Sequence, residues 1–232
     1  MSLNPTDLSE YVESKWEDDI IPSLSDYIRI PALSEAFDPD WEKNGHIEDA
    51  VQHIAAWCEA QNIAGLTVEI NRIPGRTPLI YMEVPGTIDE NILLYQHLDK
   101  QPEFVGWHEG LGPWEPVRRG DKLYGRGGAD DGYGAYASLT AIKGLQLQGI
   151  PHANLKLIVE ASEESGSPDL PAHLMSLADR IGVPSLVVCL DSGAGDWDHL
   201  WLTTSLRGVI VATLDVAVSS AGVHSGDAGG II

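Results

Sequence analysis

The sequence places metal-binding side chains at the ends of four short apolar or glycine-rich segments. These side chains belong to His97, Asp99, Asp130, Glu163, Glu164 and Asp191. In open α/β sheets, functional groups gather at the carboxyl ends of the strands, so we expect these side chains to meet at one edge of a sheet. Carboxylate oxygens together with an imidazole nitrogen are a ligand set that suits a divalent ion, zinc in particular.

The spacing of the two closest pairs agrees with this chemistry. His97 and Asp99 lie two residues apart in a predicted strand and therefore point to the same face, so one can bind metal while the other orients the imidazole. Glu163 and Glu164 are neighbours, and in an irregular loop one can bind metal while the other reaches a metal-bound water. Taken alone, the first pair also fits a solvent-exposed strand end, and the second fits an acidic helix N-terminus ahead of Pro168.

The glycine-rich stretch GRGGADDGYG (125–134) superficially resembles a phosphate-binding loop. It lacks the lysine and hydroxyl residue of that loop, and its two aspartates would repel phosphate. We therefore expect the glycines to allow a tight turn that aims Asp130 at the metal ions.

Alternating apolar runs and helical patterns indicate the elements that position these residues. Candidate strands are 66–70, 79–84, 91–99, 155–161, 185–191, 200–204 and 209–218, and candidate helices are 7–29, 47–62, 132–148 and 170–181. Pro22 is expected to break or kink the first helix. Several strands are almost wholly apolar, as in a sheet covered on both faces. The pattern predicts an α/β fold with a mostly parallel sheet flanked by helices.

The character of the sequence changes after Arg207 and Gly208, where a longer alternating strand pattern precedes a glycine-rich loop. We predict a catalytic, metal-binding domain over residues 1–206 and the beginning of a second domain over residues 207–232. The second segment is too short to bury a core of its own, which suggests a truncated chain.

Composition narrows the classes of partner and location. A formal net charge of −21 argues against nucleic acid and against anionic membrane surfaces. No apolar run reaches the ~18 residues of a membrane span, and the N-terminus lacks a secretory signal, so a cytoplasmic location is predicted. The two cysteines, Cys58 and Cys189, are predicted to be small buried hydrophobic residues.

Together these segments resemble the co-catalytic zinc aminoacylase, carboxypeptidase and dipeptidase family, and its carnosinase-like dipeptidase branch in particular. The matching pieces occur in family order and are YQHLDKQP (95–102), GWHEGLGPWEPVRRGDKLYGRGGADDG (106–132), EASEESGS (160–167), LDSGAG (190–195), SLRG (205–208) and HSGDAGG (224–230). The resemblance implies a zinc-exopeptidase-like catalytic domain, followed by the start of an α+β lid and dimerisation domain.

The resemblance also implies a role for each candidate residue. Asp130 would bridge two divalent ions, zinc by preference with manganese or cobalt as alternatives. His97 and Asp191 would complete one ion's protein ligands, and Glu164 would bind the other ion with a histidine from a far C-terminal segment. The general base would be Glu163, and the residue that orients His97 would be Asp99. A contact with the substrate and its oxyanion is implied for His224, across a homodimer.

The implied activity is hydrolysis of the amide bond of dipeptides or small peptides. An N-acyl amino acid deacylase of the same family remains an alternative, since the family pattern DDKG is here Asp130-Asp131-Gly132-Tyr133. A chain that ends at Ile232 would lack the C-terminal metal-binding histidine, so an inactive truncated chain is a second alternative. A metal-free, carboxylate-pair glycosidase fits poorly with His97 and the crowded acids.

Overall fold

The computed structural model describes residues 3–196, 198–216 and 224. Its helices are α1 (Pro5–Lys15), α2 (Ile21–Arg29), α3 (Trp41–Asn44), α4 (His46–Glu59), α5 (Gly134–Leu147), α6 (Leu170–Ser176) and α7 (Ala178–Ile181). Its strands are β1 (Thr67–Asn71), β2 (Leu79–Val84), β3 (Ile88–His97), β4 (Val117–Arg119), β5 (Lys122–Tyr124), β6 (Ala153–Glu160) and β7 (Leu186–Cys189). None of the described helices has the length and apolar character needed to cross a membrane.

Five strands form one sheet in the order β1-β2-β6-β3-β7. Strand β3 pairs in parallel with both β6 and β7, whereas β2 pairs antiparallel with both β1 and β6. Four of the five strands therefore run in one direction and only β2 opposes them, which confirms the mostly parallel sheet. Strands β4 and β5 form a separate two-stranded hairpin that the apolar pattern did not indicate.

Helices cover both faces of the sheet. Successive residues of one strand point to opposite sides, so each strand contributes to the packing on both faces. Ile80 and Leu157 belong to the larger core with residues of α2, α4 and α5. Their sequence neighbours Leu79 and Ile158 pack instead in a smaller cluster that includes Leu177. The sheet is thus buried on both sides, as its nearly continuous apolar strands predicted.

The first predicted helix forms in three parts. Helices α1 and α2 are joined by the π-helical segment Trp16–Ile20, and Pro22 lies in the first turn of α2. Proline is tolerated there because the first turn leaves backbone N–H groups without partners inside the helix.

The edge position of β7 decides the environment of Cys189. Cys58 is buried on α4 as predicted, whereas Cys189 is exposed. The prediction for Cys189 was wrong because β7 is the last strand of the sheet and is largely exposed to solvent.

The chain divides into two compact units, Met1–Gly193 and Ala194–Ile232. Residues 200–216 contain no helix or strand, so the predicted strand 200–204 and the described part of the strand 209–218 do not form. A strand requires a hydrogen-bonded neighbour, and an alternating apolar pattern does not supply one. Residues 217–218 lie outside the described part of the chain, and the domain boundary at residue 206 stays a prediction.

A glycine turn carries the acidic pair between β5 and α5. Residues Gly128–Gly132 form a turn in which Asp130 and Asp131 have non-helical backbone angles, and the Gly132 N–H donates to the carbonyl oxygen of Gly127 at 2.9 Å. A Cβ atom on Gly132 would lie 2.2 Å from the ring of Tyr27 and 2.6 Å from the Gly127 oxygen. Tyr27 is itself fixed, because its hydroxyl donates to the Leu98 carbonyl oxygen at 2.7 Å. A side chain at position 132 would therefore require the Tyr27 ring or the turn to move.

We predict that Gly132→Ala lowers the free energy of unfolding by about 1–3 kcal/mol, because the added methyl group must displace the Tyr27 ring or the turn. Gly112→Ala is the matched control, since a Cβ at Gly112 would have no atom within 4 Å. Urea unfolding of both variants measures the difference. Equal losses of stability in the two variants would show that the turn does not depend on this close contact.

Candidate metal centre

Three neighbouring strands of the sheet bring the predicted site residues together. His97 is the last residue of β3 and lies opposite Glu160, the last residue of β6. Asp191 follows β7, the other parallel neighbour of β3. Because these three strands are parallel and adjacent, their carboxyl ends meet at the same edge of the sheet.

The His97 imidazole is at the centre of the acidic cluster. Its Nε2 atom lies 3.2 Å from Asp130 Oδ1, 3.6 Å from Asp191 Oδ2 and 3.9 Å from Glu163 Oε2. Ligand-capable atoms of two sets lie within 4.8 Å of one another: His97 with Asp130 and Asp191, and His97 with Glu163 and Glu164. Five of the seven predicted site residues therefore converge on one small volume.

The other nitrogen of the same ring faces Asp99. His97 Nδ1 lies 3.1 Å from the Asp99 carbonyl oxygen and 3.4 Å from its Oδ1 atom. The Asp99 carboxylate also accepts the N–H groups of Glu163 at 3.1 Å and Glu164 at 3.0 Å. Asp99 is fully buried, so it lies behind the cluster and joins the His97 ring to the turn of the two glutamates.

The neighbour of Asp130 anchors the glycine turn to β3. Asp130 is largely exposed, whereas Asp131 is buried, and a cis peptide bond joins them. Asp131 Oδ2 accepts the backbone N–H of His97 at 3.2 Å. This bond holds the turn next to the strand end, with Asp130 directed at the imidazole.

The pKa values of the clustered groups are shifted because several acids lie close together in a partly buried site. Burial raises the pKa of Glu163 to about 7; the charge of His97 acts to lower this pKa, and repulsion from Asp191 and Glu164 acts to raise it. Burial likewise raises the pKa of Asp191. Burial alone would lower the pKa of His97, but its hydrogen bonds with Asp130 and Asp99 raise it to about 11. Bound divalent cations would relieve this repulsion and reverse the protonation of the ring.

An unsatisfied oxygen supports the fit of these residues to a metal ion. Glu164 Oε2 accepts a hydrogen bond from Gln101 at 2.5 Å, but Glu164 Oε1 is buried and has no hydrogen-bond partner in the described chain. A buried carboxylate oxygen without a partner is costly, and a cation would remove that cost. The mixed nitrogen and oxygen donors are a ligand set that a divalent metal ion accepts.

Two contacts in the site have no signal in the sequence pattern. The Tyr133 hydroxyl donates to the carbonyl oxygen of Leu190 at 2.5 Å, next to Asp191. The Gln101 side chain donates to Glu164, although the sequence analysis included Gln101 only as part of the segment YQHLDKQP (95–102). Both contacts depend on long-range packing that residue spacing does not reveal; the departure from DDKG marked the position of Tyr133 but not its contact.

The last predicted site residue, His224, is exposed and belongs to the second unit. Its neighbours in the HSG stretch, Val223 and Ser225, lie outside the described residues. Its role in substrate binding stays a prediction.

Comparisons with known proteins agree with the resemblance seen in the sequence. The profile of peptidase family M20/M25/M40 matches residues 93–203. An uncharacterized metallohydrolase of Methanocaldococcus jannaschii is 29% identical over 199 residues, which cover 79% of this chain and 48% of the relative. The cysteinylglycine-S-conjugate dipeptidase of Corynebacterium striatum is 29% identical over 185 residues, covering 78% of this chain and 40% of the relative. The chain thus spans about half the length of the curated relatives it matches.

Solved structures agree on the fold. The crystal structure of human carnosine dipeptidase 1 superposes with a TM-score of 0.65 at 23% identity, covering 81% of this chain and 41% of that chain. The matched segment in the family profile contains His97, Asp130, Glu164 and Asp191. The profile and the curated relatives thus agree that this chain is similar to peptidase family M20/M25/M40.

Proposed function

We propose that this protein is a zinc-dependent metallopeptidase that hydrolyses the amide bond of dipeptides or small peptides. The observation that carries the proposal is the position of His97 Nε2, within 3.9 Å of oxygen atoms of Asp130, Asp191 and Glu163. The dipeptidase activity named for the Corynebacterium striatum relative supports the choice of substrate class.

The proposed metal ligands follow the two sets of converging side chains. His97 and Asp191 would hold one ion, Glu164 would hold a second, and Asp130 would be shared between them. Such ions supply a nucleophilic water of lowered pKa and stabilise the charge that develops on the substrate oxygen.

Glu163 is the proposed general base. Its pKa of about 7 lies close to the pH at which a peptidase works, which suits a group that accepts and then donates a proton. We propose that Glu163 takes the proton of the attacking water and delivers it to the leaving amine. Asp99 orients this group and His97 together, since it contacts the Glu163 amide and the imidazole Nδ1.

Three predictions from the sequence belong to the same proposal. These are contact of His224 with the substrate, a homodimeric assembly and a cytoplasmic location. Light scattering of the purified protein tests the dimer, and a fluorescent fusion expressed from the complete coding sequence tests the location.

A panel of dipeptides, N-acyl amino acids and blocked peptides distinguishes a dipeptidase from a deacylase.

We predict that zinc binding releases protons and strengthens with pH. The pKa of metal-free His97 is about 11, so the ring is protonated at neutral pH and must lose its proton to bind metal. The Zn²⁺ affinity should therefore rise about tenfold for each pH unit between pH 6 and 8. Calorimetric titration in buffers of different ionisation enthalpy counts the released protons.

The matched pair for this titration is His97→Ala and His46→Ala. His97→Ala should abolish tight binding, whereas His46→Ala, at the start of α4, should leave it intact. Zinc affinity that is independent of pH, or that survives His97→Ala, contradicts the proposed site.

We predict that Glu163→Gln lowers kcat by about 10²–10⁴-fold, because an amide cannot accept the proton of the attacking water. Zinc affinity should remain within about threefold of the wild-type value, since Glu163 is proposed to act on water rather than to bind metal. Glu59→Gln, on the exposed end of α4, is the control. Dipeptide hydrolysis is measured with protein expressed from the complete coding sequence, and undiminished turnover by Glu163→Gln would exclude this residue as the base.

A further inference from the structure

Glu160 is a buried carboxylate with no part in the proposed chemistry. It is the last residue of β6, and only 2% of its surface is exposed. Its carboxylate accepts hydrogen bonds from three hydroxyl groups: Tyr95 at 2.5 Å, Ser167 at 2.8 Å and Ser162 at 3.1 Å. A buried acid with this many donors is held in one orientation, and it holds its donors in return.

Two of these donors are the ends of the turn that carries the glutamate pair. Within this turn, the Ser167 N–H donates to the Ser162 carbonyl oxygen at 2.9 Å, and the Gly166 N–H donates to the Glu163 carbonyl oxygen at 2.7 Å. Ser167 has a φ of 53°, a left-handed conformation that a serine adopts only at a cost. The Ser167–Glu160 hydrogen bond stabilises that conformation and closes the base of the turn.

Asp99 holds the same turn from the opposite side. Its carboxylate accepts the N–H groups of Glu163 and Glu164, so the turn lies between two buried acids. The third donor to Glu160, Tyr95, lies on β3 two residues before His97. The Glu160 carboxylate therefore connects the strand that carries the imidazole to the turn that carries both glutamates.

We propose that Glu160 is a positioning residue: it fixes the distance and orientation of Glu163 and Glu164 relative to His97. This inference rests on the proposed function, because the groups that Glu160 positions are the proposed base and a proposed metal ligand. A residue that only stabilised the fold would affect unfolding without changing the metal site.

The test compares Glu160→Gln with Asp169→Asn. Asp169 is a suitable control because it is also buried and accepts three hydrogen bonds, from Arg76, the Thr77 N–H and the Thr77 hydroxyl. Co²⁺ is titrated into the metal-free protein, expressed from the complete coding sequence, while its visible absorption is recorded, and thermal unfolding of each variant is measured separately. We expect Glu160→Gln to weaken Co²⁺ binding about 10–100-fold and to alter the absorption spectrum, as loss of a group that supports metal ligands does. Asp169→Asn should lower the unfolding temperature while its Co²⁺ affinity stays within about threefold of wild type.

A second route removes the donors instead of the acceptor. The double variant Ser162→Ala/Ser167→Ala should weaken Co²⁺ binding in the wild-type background and add little to Glu160→Gln, because both changes break the same contacts. This variant also keeps the inference testable if Glu160→Gln does not fold.

The outcomes separate this inference from the function on which it rests. Wild-type Co²⁺ affinity in both Glu160→Gln and the double serine variant would overturn the positioning role and leave the proposed metal site standing. A wild-type chain that binds no Co²⁺ would overturn the proposed function itself.

Discussion

The burial of one imidazole ring among carboxylates is the interaction on which the site depends. The His97 side chain is inaccessible to solvent, yet oxygen atoms of Asp130, Asp191 and Glu163 lie within 3.9 Å of Nε2. Such a concentration of negative charge is unfavourable unless cations offset it. Bound positive charge would therefore stabilise this arrangement, and divalent metal ions would supply it.

Backbone hydrogen bonds, rather than side-chain pairs alone, hold the arrangement in place. The Asp99 carboxylate accepts hydrogen bonds from the backbone N–H groups of Glu163 and Glu164. The Asp131 carboxylate accepts a hydrogen bond from the backbone N–H of His97. Each acid thereby fixes a neighbouring segment of main chain instead of a flexible side chain. The proposed metal ligands are thus positioned by buried acids that need not contact metal themselves. Glu160 belongs to this group of acids, because it accepts a hydrogen bond from Ser167 in the turn of the two glutamates.

Close packing behind the site adds a steric constraint. Tyr27 lies between the end of β3 and the glycine turn, with its hydroxyl on the Leu98 carbonyl and its ring against Gly132. No side chain larger than hydrogen fits at position 132 without movement of this ring or of the turn. Helix α2 therefore shapes the proposed metal centre, although none of the proposed ligands lies on it.

The sequence by itself determined the strands of the sheet, the order of the acidic motifs along it and the convergence of His97, Asp130, Glu163, Glu164 and Asp191. It could do so because apolar periodicity is local and because parallel strands bring their carboxyl ends together. Only the tertiary structure decided that β7 is an edge strand that exposes Cys189, that Tyr27 requires glycine at 132, and that Tyr133 and Glu160 support the site. These features join residues far apart in the chain, or depend on which strand has a neighbour, and local patterns carry no information about either.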